Sequence, residues 1–370
     1  MKIVHIITGL GQGGAEGALH RLVQFSPNPT EHAIISLMND GIHGEALRAL
    51  GCTVHALNMR RGTFTLPAFF KLRKLIKMAN PNVVQTWMYH SDLVGGLAAR
   101  TLGLPVVWGI RRTDDSLLDL GISTWLIAKA CVLLGDIPQF IVSCSNRAIQ
   151  NHRKFGYPNR FIYIPNGFYA HELEQPANPE GFPEIRPGQL VFGHVARLYP
   201  HKGHTLFLRA FRKIHEQNPD MLAVMVGSHI LPDDAKFGHI LQLYGDAGVI
   251  CLGSRKDVPA LMRAFDFFVL SSLGEGFPNV VAEAMIQGTP CIVTDVGDAA
   301  DIVGDTGWVI SKKDPLLLAQ AMMEAAQASP EELQRRGLAA RQRIIERYSM
   351  QNMVQAFYSV WQQAIDKATV

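Results

Sequence analysis

Short apolar runs alternate with stretches of helical period along the whole chain. KIVHIIT, HAIISLM, VHAL, VVQTW, VVWGI, FIVSCS and FIYIP read as strands in the first half. LVFGHVA, MLAVMVG, VICLG, FFVLSS and CIVTDV read as strands in the second. This alternation predicts an α/β protein of parallel sheets wrapped by helices. The segment FYAHELEQPANPEGFPEIRPGQ is rich in Pro, Glu and Asn and lacks periodicity, so it is the best linker between the halves. Each half opens alike with a strand, a Gly-containing loop and a helix: KIVHIIT–GLGQGGAEG and LVFGHVA–RLYPHKGH. The expected domains are 1–168 and 169–351. The last stretch, MQNMVQAFYSVWQQAI, has helical apolar spacing at Met353, Phe357, Val360, Trp361 and Ile365. Its helix, 352–370, is expected to pack back on the first domain.

Size and composition agree with two packed domains. The chain has 370 residues, and 48% of them are apolar, which supports a large core and excludes a disordered chain. No stretch approaches the ~20 uninterrupted apolar residues of a membrane helix. MKIVHIIT resembles the start of a signal peptide only superficially. The run is short, breaks at GLGQGG and lacks a small-residue cleavage pattern, so it reads as a first buried strand. The five cysteines (Cys52, Cys131, Cys144, Cys251 and Cys291) are scattered among apolar neighbours without zinc spacing. They fit reduced core thiols of a cytoplasmic protein.

The net charge of +3 is split unevenly. Residues 1–165 hold 17 Lys/Arg against 9 Asp/Glu, and residues 166–370 hold 18 against 23. A basic half joined to an acidic half suggests that the first half meets something anionic: a membrane surface, a lipid phosphate or nucleic acid.

The chemistry concentrates in SSLGEGFPNVVAEAMIQGTPCIVTDVG. Glu275 and Glu283 lie eight positions apart, with a loop-to-helix turn between them. Pro278 suits the first helical position, and Gly288-Thr289-Pro290 stops the helix. Glu275 then lies on the loop and Glu283 about a turn into the helix. The N–H groups of Asn279 and Val280 stand at the helix start, where the dipole favours an anion. Two acceptors for hydroxyls beside a cradle for phosphate are what a nucleotide-sugar needs. Arg197 and Lys202 flank the turn after LVFGHVA, and two cations across such a turn can close on one diphosphate. Gly9, Gly11 and Gly14 fit the dinucleotide pattern G-x-G-x-x-G, with Asp40 as the acidic partner, which leaves an NAD(P)-dependent oxidoreductase open. The preferred reading is a flexible Gly13-Gly14 loop whose backbone N–H groups approach a phosphate or sugar.

These residues carry a resemblance. GHVARLYPHKGH, DVPALMRAFDFFVLSSLGEGFPNVVAEAM and IPNGF in the second half, with GGAEGALHRLV and VVQTWMYHSDLVGGLAAR in the first, are similar to retaining glycosyltransferases of glycosyltransferase family 4. The resemblance implies the GT-B fold: two Rossmann-like, doubly wound parallel-sheet domains facing a central cleft. It implies a metal-independent enzyme without cofactor, using a nucleoside-diphosphate sugar as donor and a saccharide or lipid-linked saccharide as acceptor. Arg197 and Lys202 would hold the diphosphate and stabilise the leaving group. Glu275 would contact the donor sugar, and Gly276, Phe277, Asn279 and Val280 would line sugar and phosphate through main chain. Glu283 would bind the ribose hydroxyls, and Gly227 and Arg255 would sit near the base. The leaving phosphate oxygen is expected to take the acceptor's proton.

The first domain departs from the family pattern. Many relatives carry a histidine after the fifth strand, where this chain has Gly109-Ile110-Arg111-Arg112-Thr113-Asp114. His90 replaces that histidine, or Arg111 binds an acceptor phosphate. Asp114-Asp115 suggests a metal pair, a reading rejected because such pairs belong to the other glycosyltransferase fold. FFKLRKLIKMA mixes Lys71, Arg73, Lys74 and Lys77 with apolar residues, as does either a core-facing helix with solvated lysines or a basic amphipathic helix on the anionic inner face of a membrane. No nucleic-acid-binding signature is present. A nucleotide-sugar-binding module without turnover is the remaining alternative.

Overall fold

The structure is a computed structural model that describes residues 1–11, 13–60, 65–111, 121–170, 179, 181–311 and 313–369. The chain divides into two compact units, Met1–Gly167 with Met350–Val370, and Phe168–Ser349.

The first unit is built on β1 (Ile3–Ile7), β2 (His32–Ser36), β3 (Thr53–Ala56), β4 (Val83–Trp87), β5 (Val106–Ile110), β6 (Phe140–Ser143) and β7 (Phe161–Tyr163). Their order is β3-β2-β1-β4-β5-β6-β7, and every pair is parallel. Parallel neighbours need a crossover, which α1 (Gly14–Gln24), α2 (His43–Ala49), α3 (Leu66–Ala79), α4 (Tyr89–Arg100), α5 (Ile122–Leu133) and α6 (Asn146–Phe155) supply. β1, β4 and β5 are buried at every position, so they read as unbroken apolar runs rather than alternating ones.

The second unit repeats the plan with β8 (Leu190–Val195), β9 (Met221–Val226), β10 (Val249–Cys251), β11 (Phe267–Leu270), β12 (Cys291–Thr294) and β13 (Trp308–Ile310). Their order is β10-β9-β8-β11-β12-β13, again all parallel. Its helices are α7 (His204–Gln217), α8 (Ala235–Tyr244), α9 (Val258–Arg263), α10 (Asn279–Ile286), α11 (Ala299–Val303), α12 (Pro315–Ala326) and α13 (Pro330–Arg347). Asp234, Asp314 and Ser329 accept first-turn N–H groups of α8, α12 and α13, which is why those helices start where they do.

The chain then returns to the first unit as α14 (Met350–Thr369). Met350, Met353, Phe357, Val360 and Trp361 bury one stripe among Ile3, Leu22, Val83 and Trp87. Beneath α14 runs a hydrogen-bonded relay. The Trp87 indole N–H donates to His5 Nδ1 at 3.2 Å. His5 Nε2 therefore carries the proton and donates to His32 Nδ1 at 2.8 Å, and His32 Nε2 donates to the Tyr358 hydroxyl at 3.2 Å. Neither imidazole can take a second proton without breaking a bond in this chain. Burial, and His32 beside it, holds His5 well below the usual histidine range; burial brings His32 down to about 4.

Candidate active site

The chemistry-bearing residues of the second unit gather where its strand order reverses. β9 and β10 lie beyond β8 on one side, β12 and β13 beyond β11 on the other. Open α/β sheets bind ligands outside the strand carboxyl ends at such a switch point. The turn after β8 carries Arg197 and Lys202, and the turn after β11 carries Ser271, Ser272 and Glu275.

Lys202 Nζ lies 2.6 Å from Glu275 Oε1, and Ser272 Oγ donates to the same oxygen at 2.7 Å. The two ion-pair side chains are only 26% and 12% exposed, so their attraction is less screened than on an open surface. Arg197 stands outside this pair. It is exposed, with its guanidinium carbon 5.7 Å from the Tyr199 ring centre.

Helix α10 starts at Asn279, one residue later than the sequence suggests. Pro278 has φ −73° and ψ 88°, so it precedes the helix rather than opening it. The chain is still extended there because Asp298 N tethers Gly276 O at 2.9 Å and the Phe277 ring is buried. That ring stacks on Phe168 with centroids 6.1 Å apart and meets Tyr348 edge-on. Phe277 can thus offer a ligand only its main chain. The first-turn N–H groups belong to Asn279 and Val280, and half-buried Glu283 follows one turn later. Gly297, at φ +55°, lets the turn after β12 close on this loop, since a Cβ there would lie 2.1 Å from Gly276 O. Gly227 does the same between the ends of β8 and β9, where a Cβ would lie 2.0 Å from Ala196 O. Arg255 holds Asp257 through two bonds of 2.8 and 2.6 Å, and these bonds lower the Asp257 carboxyl below its usual range. A cavity of about 1050 Å³ abuts the Tyr199–Leu206 turn, but Lys202, Glu275 and Glu283 are not in its walls.

Ser272 escaped the sequence reading. Its signal is the doubled serine at a strand end just before the Glu275 loop, a place where a hydroxyl can orient a carboxylate.

In the first unit the order reverses between β1 and β4. The Gly9–Gly14 loop follows β1, with Gly13 just before α1 and Gly14 as its first residue. Asp40 pairs with Arg48 at 2.7 Å. His90 sits on the first turn of α4 after Met88, a non-glycine residue at φ +74° and ψ 156°. Such a conformation costs of order 1–3 kcal/mol and concentrates at functional sites. Asp92 stitches this turn to β4 and β5: Thr86 Oγ1 donates to it at 2.5 Å and Gly109 N at 3.3 Å. Burial pushes its carboxyl up to about 8. Arg111 is held between rings, its guanidinium carbon 4.9 Å from the Trp87 centre and 5.4 Å from that of Phe357, with Nη1 on Asn166 Oδ1. Arg112, Thr113, Asp114 and Asp115 lie outside the described residues. Among the described residues, no three His, Cys, Asp or Glu side chains cluster so as to hold a metal ion.

Known proteins resemble both halves of the chain. The model described as Glycosyltransferase Family 4 matches residues 13–171, and Glycosyl transferases group 1 matches residues 189–328. UDP-Gal:alpha-D-GlcNAc-diphosphoundecaprenol alpha-1,3-galactosyltransferase of Escherichia coli is 28% identical over 252 residues, which span 62% of each chain. Putative glycosyltransferase EpsF of Bacillus subtilis (strain 168) is 28% identical over 319 residues, 80% of this chain and 79% of the relative. Anabaena Alr3699/HepE in complex with UDP superposes with a TM-score of 0.83 at 20% identity, covering 98% of this chain and 100% of that one. The chain belongs to the family 4 glycosyltransferases and has the GT-B fold of two parallel-sheet α/β domains. The oxidoreductase reading of Gly9, Gly11, Gly14 and Asp40 finds no support.

Proposed function

We propose that this enzyme transfers a hexose from a UDP-sugar to a hydroxyl of a lipid-linked saccharide, with retention of configuration, in cell-surface polysaccharide or glycolipid synthesis. The observation that carries the donor half is the Lys202–Glu275 pair, 2.6 Å apart at the sheet's switch point beside the start of α10. Lys202 and Arg197 bind the diphosphate, and Lys202 meets the charge that grows on it as the glycosidic bond breaks. Glu275, oriented by Ser272, takes a hydroxyl of the sugar. The Gly276–Val280 main chain lines sugar and phosphate. Glu283 holds the ribose, and Gly227 and Arg255 border the base. The second unit is thus the donor domain and the first the acceptor domain, with Gly13 and Gly14 approaching the substrate by main chain. His90, set on a strained turn, is the better candidate for the reacting face. Arg111, fixed between Trp87 and Phe357, supports that face or an acceptor phosphate. No metal or organic cofactor is needed in this scheme. The lipid-linked acceptor and the UDP donor follow the printed activity of the Escherichia coli relative.

The ribose assignment has a direct test. Glu283→Ala should weaken UDP binding by about tenfold, the loss of one charge-assisted hydrogen bond, as calorimetry would show. Unchanged affinity would remove Glu283 from the ribose.

A lipid-linked acceptor requires contact with a membrane surface. No helix among the described residues is long and apolar enough to cross a membrane. Helix α3 buries Leu72 and Ile76 and exposes Leu66, Phe70 and Met78 beside Lys71, Lys74 and Lys77, a surface suited to the inner, anionic leaflet. Flotation with phosphatidylglycerol-containing vesicles should recover the protein at low salt and lose it at high salt. Absence from the vesicle fraction at both would end this part of the reading.

A further inference from the structure

The turn that carries Lys202 is gripped from beneath by side chains that the donor chemistry does not use. His194 lies on β8 and Ser271 at the end of the adjacent strand β11, both buried. Ser271 Oγ is 3.0 Å from Gly203 O and 3.3 Å from Lys202 O. Carbonyl oxygens only accept, so the hydroxyl proton is engaged there. His194 Nε2, 3.1 Å away, must then donate to Ser271 Oγ, which fixes the imidazole as the Nε2–H tautomer. The other end of the turn is held in a similar way. His204, the first residue of α7, donates from Nε2 to Ala196 O at 3.4 Å. The two imidazoles meet edge-on with centroids 5.0 Å apart, and His194 also packs on Phe207 at 4.8 Å.

The backbone of the turn lies flush against the strand end. Gly203 has φ +68°, and a Cβ there would lie 1.8 Å from Ser271 O. Leu273 N donates to His201 O at 2.7 Å. Burial, with His204 and Lys202 close by, holds His194 well below the usual histidine range, and burial takes His204 to about 4. Both rings are therefore neutral at physiological pH, each with one N–H, and add no charge beside the lysine.

We propose that His194, acting through Ser271, is a positioning residue for Lys202: the relay fixes the carbonyls of Lys202 and Gly203 and so aims the ammonium group at the departing diphosphate. The proposal rests on the leaving-group role given to Lys202. A relay of this kind acts on the chemical step, because a reacting group displaced by about 1 Å can lower the rate up to 100-fold while ground-state binding barely changes.

The test is steady-state UDP release from whichever of UDP-galactose and UDP-glucose the wild type turns over faster, with thermal unfolding measured for each variant. Ser271→Ala removes a single oxygen, and His194→Phe keeps the ring but loses the donor. Each should lower kcat about tenfold, with UDP affinity within about threefold of wild type. His194→Gln, which retains an N–H near the Nε2 position, should recover most of the rate. In a Lys202→Ala background, Ser271→Ala should cause no further loss. The positioning role is overturned if Lys202→Ala is slow while Ser271→Ala and His194→Phe keep the wild-type kcat, even at a lower melting temperature. It is overturned equally if the losses multiply in the double variant, or if His194→Gln is as slow as His194→Phe. A Lys202→Ala enzyme with unchanged kcat would instead refute the leaving-group assignment, and the positioning role with it.

Discussion

Lys202→Ala is expected to lower kcat by ~100-fold or more, while the protein stays folded. The ammonium group is partly buried, held by Glu275 Oε1 at 2.6 Å, and needs no rearrangement of solvent to meet new negative charge. Preorganised charge of this kind contributes most where charge develops, and a sugar leaving its diphosphate is such a step. The fold should tolerate the change. Lys202 lies in a surface turn, and Glu275 keeps the bond from Ser272 at 2.7 Å. Single-turnover kinetics with saturating donor, alongside circular dichroism, would decide the matter. Near-normal turnover in a folded protein would remove Lys202 from the mechanism.

Mild acid is expected to have the second large effect, on stability. His194 and His204 are buried in the second unit, His5 and His32 in the first. His32 and His204 are held near 4, and His5 and His194 lie well below the usual value. Above pH 6.5 all four are neutral both folded and unfolded, so they make no pH-dependent difference. As pH falls from 6.5 toward 4, only the unfolded chain takes up their protons, and stability drops. For His32 and His204, held near 4, the loss is about 2 kcal/mol each by pH 5 and about 3 kcal/mol near pH 4, and His5 and His194 add losses of the same sign. Asp92 works in the opposite direction. Its carboxyl, raised to about 8, stays protonated in the folded first unit, so that unit gains stability as pH falls from 8 toward 4. The second unit should therefore weaken more between pH 7 and pH 5, with His204 alone contributing about 2 kcal/mol and Asp266, raised by burial, offsetting part of the loss. Hydrogen exchange at the two pH values, corrected for intrinsic rates, resolves the units separately. Equal protection of β8 and β11 at pH 7 and pH 5 would contradict the assignment of neutral buried histidines.

The sheets were legible because parallel strands, buried on both faces, leave apolar runs that need no alternation to be seen. The strand that escaped, β13, spans only Trp308–Ile310 and lies between a glycine and a serine–lysine stretch. Its apolar run stops at three residues, whereas β7 and β10, equally short as strands, lie in the longer runs FIYIP and VICLG. The Glu275–Glu283 loop was visible as a local motif. Its pairing with Lys202 joins residues 73 positions apart, and that contact depends on β8 and β11 being neighbours, a property of strand order. The His194–Ser271 relay was invisible for the same reason, whereas Ser272, three positions before Glu275, left a local signal in the doubled serine. His5 and His32 are polar positions inside apolar strand runs, and only the pairing of β1 with β2 makes them partners, with Tyr358 of α14 completing the relay. The helical spacing of α14 was plain, yet nothing in that spacing chose which sheet it would cover.

The return of α14 to the first unit also orders events during synthesis. Residues of the second unit are contiguous, Phe168–Ser349, whereas the first unit needs both Met1–Gly167 and Met350–Val370. A ribosome delivers all of the second unit before it delivers the helix that covers Ile3, Val83 and Trp87. Domains that are contiguous in the chain can fold as they emerge. The amino-terminal sheet, made first, must therefore wait with the part of one face that α14 covers still open, while α1 and α2 already pack beside it. A stalled chain ending before Met350 would carry a complete second unit beside a first unit whose core lacks its last helix.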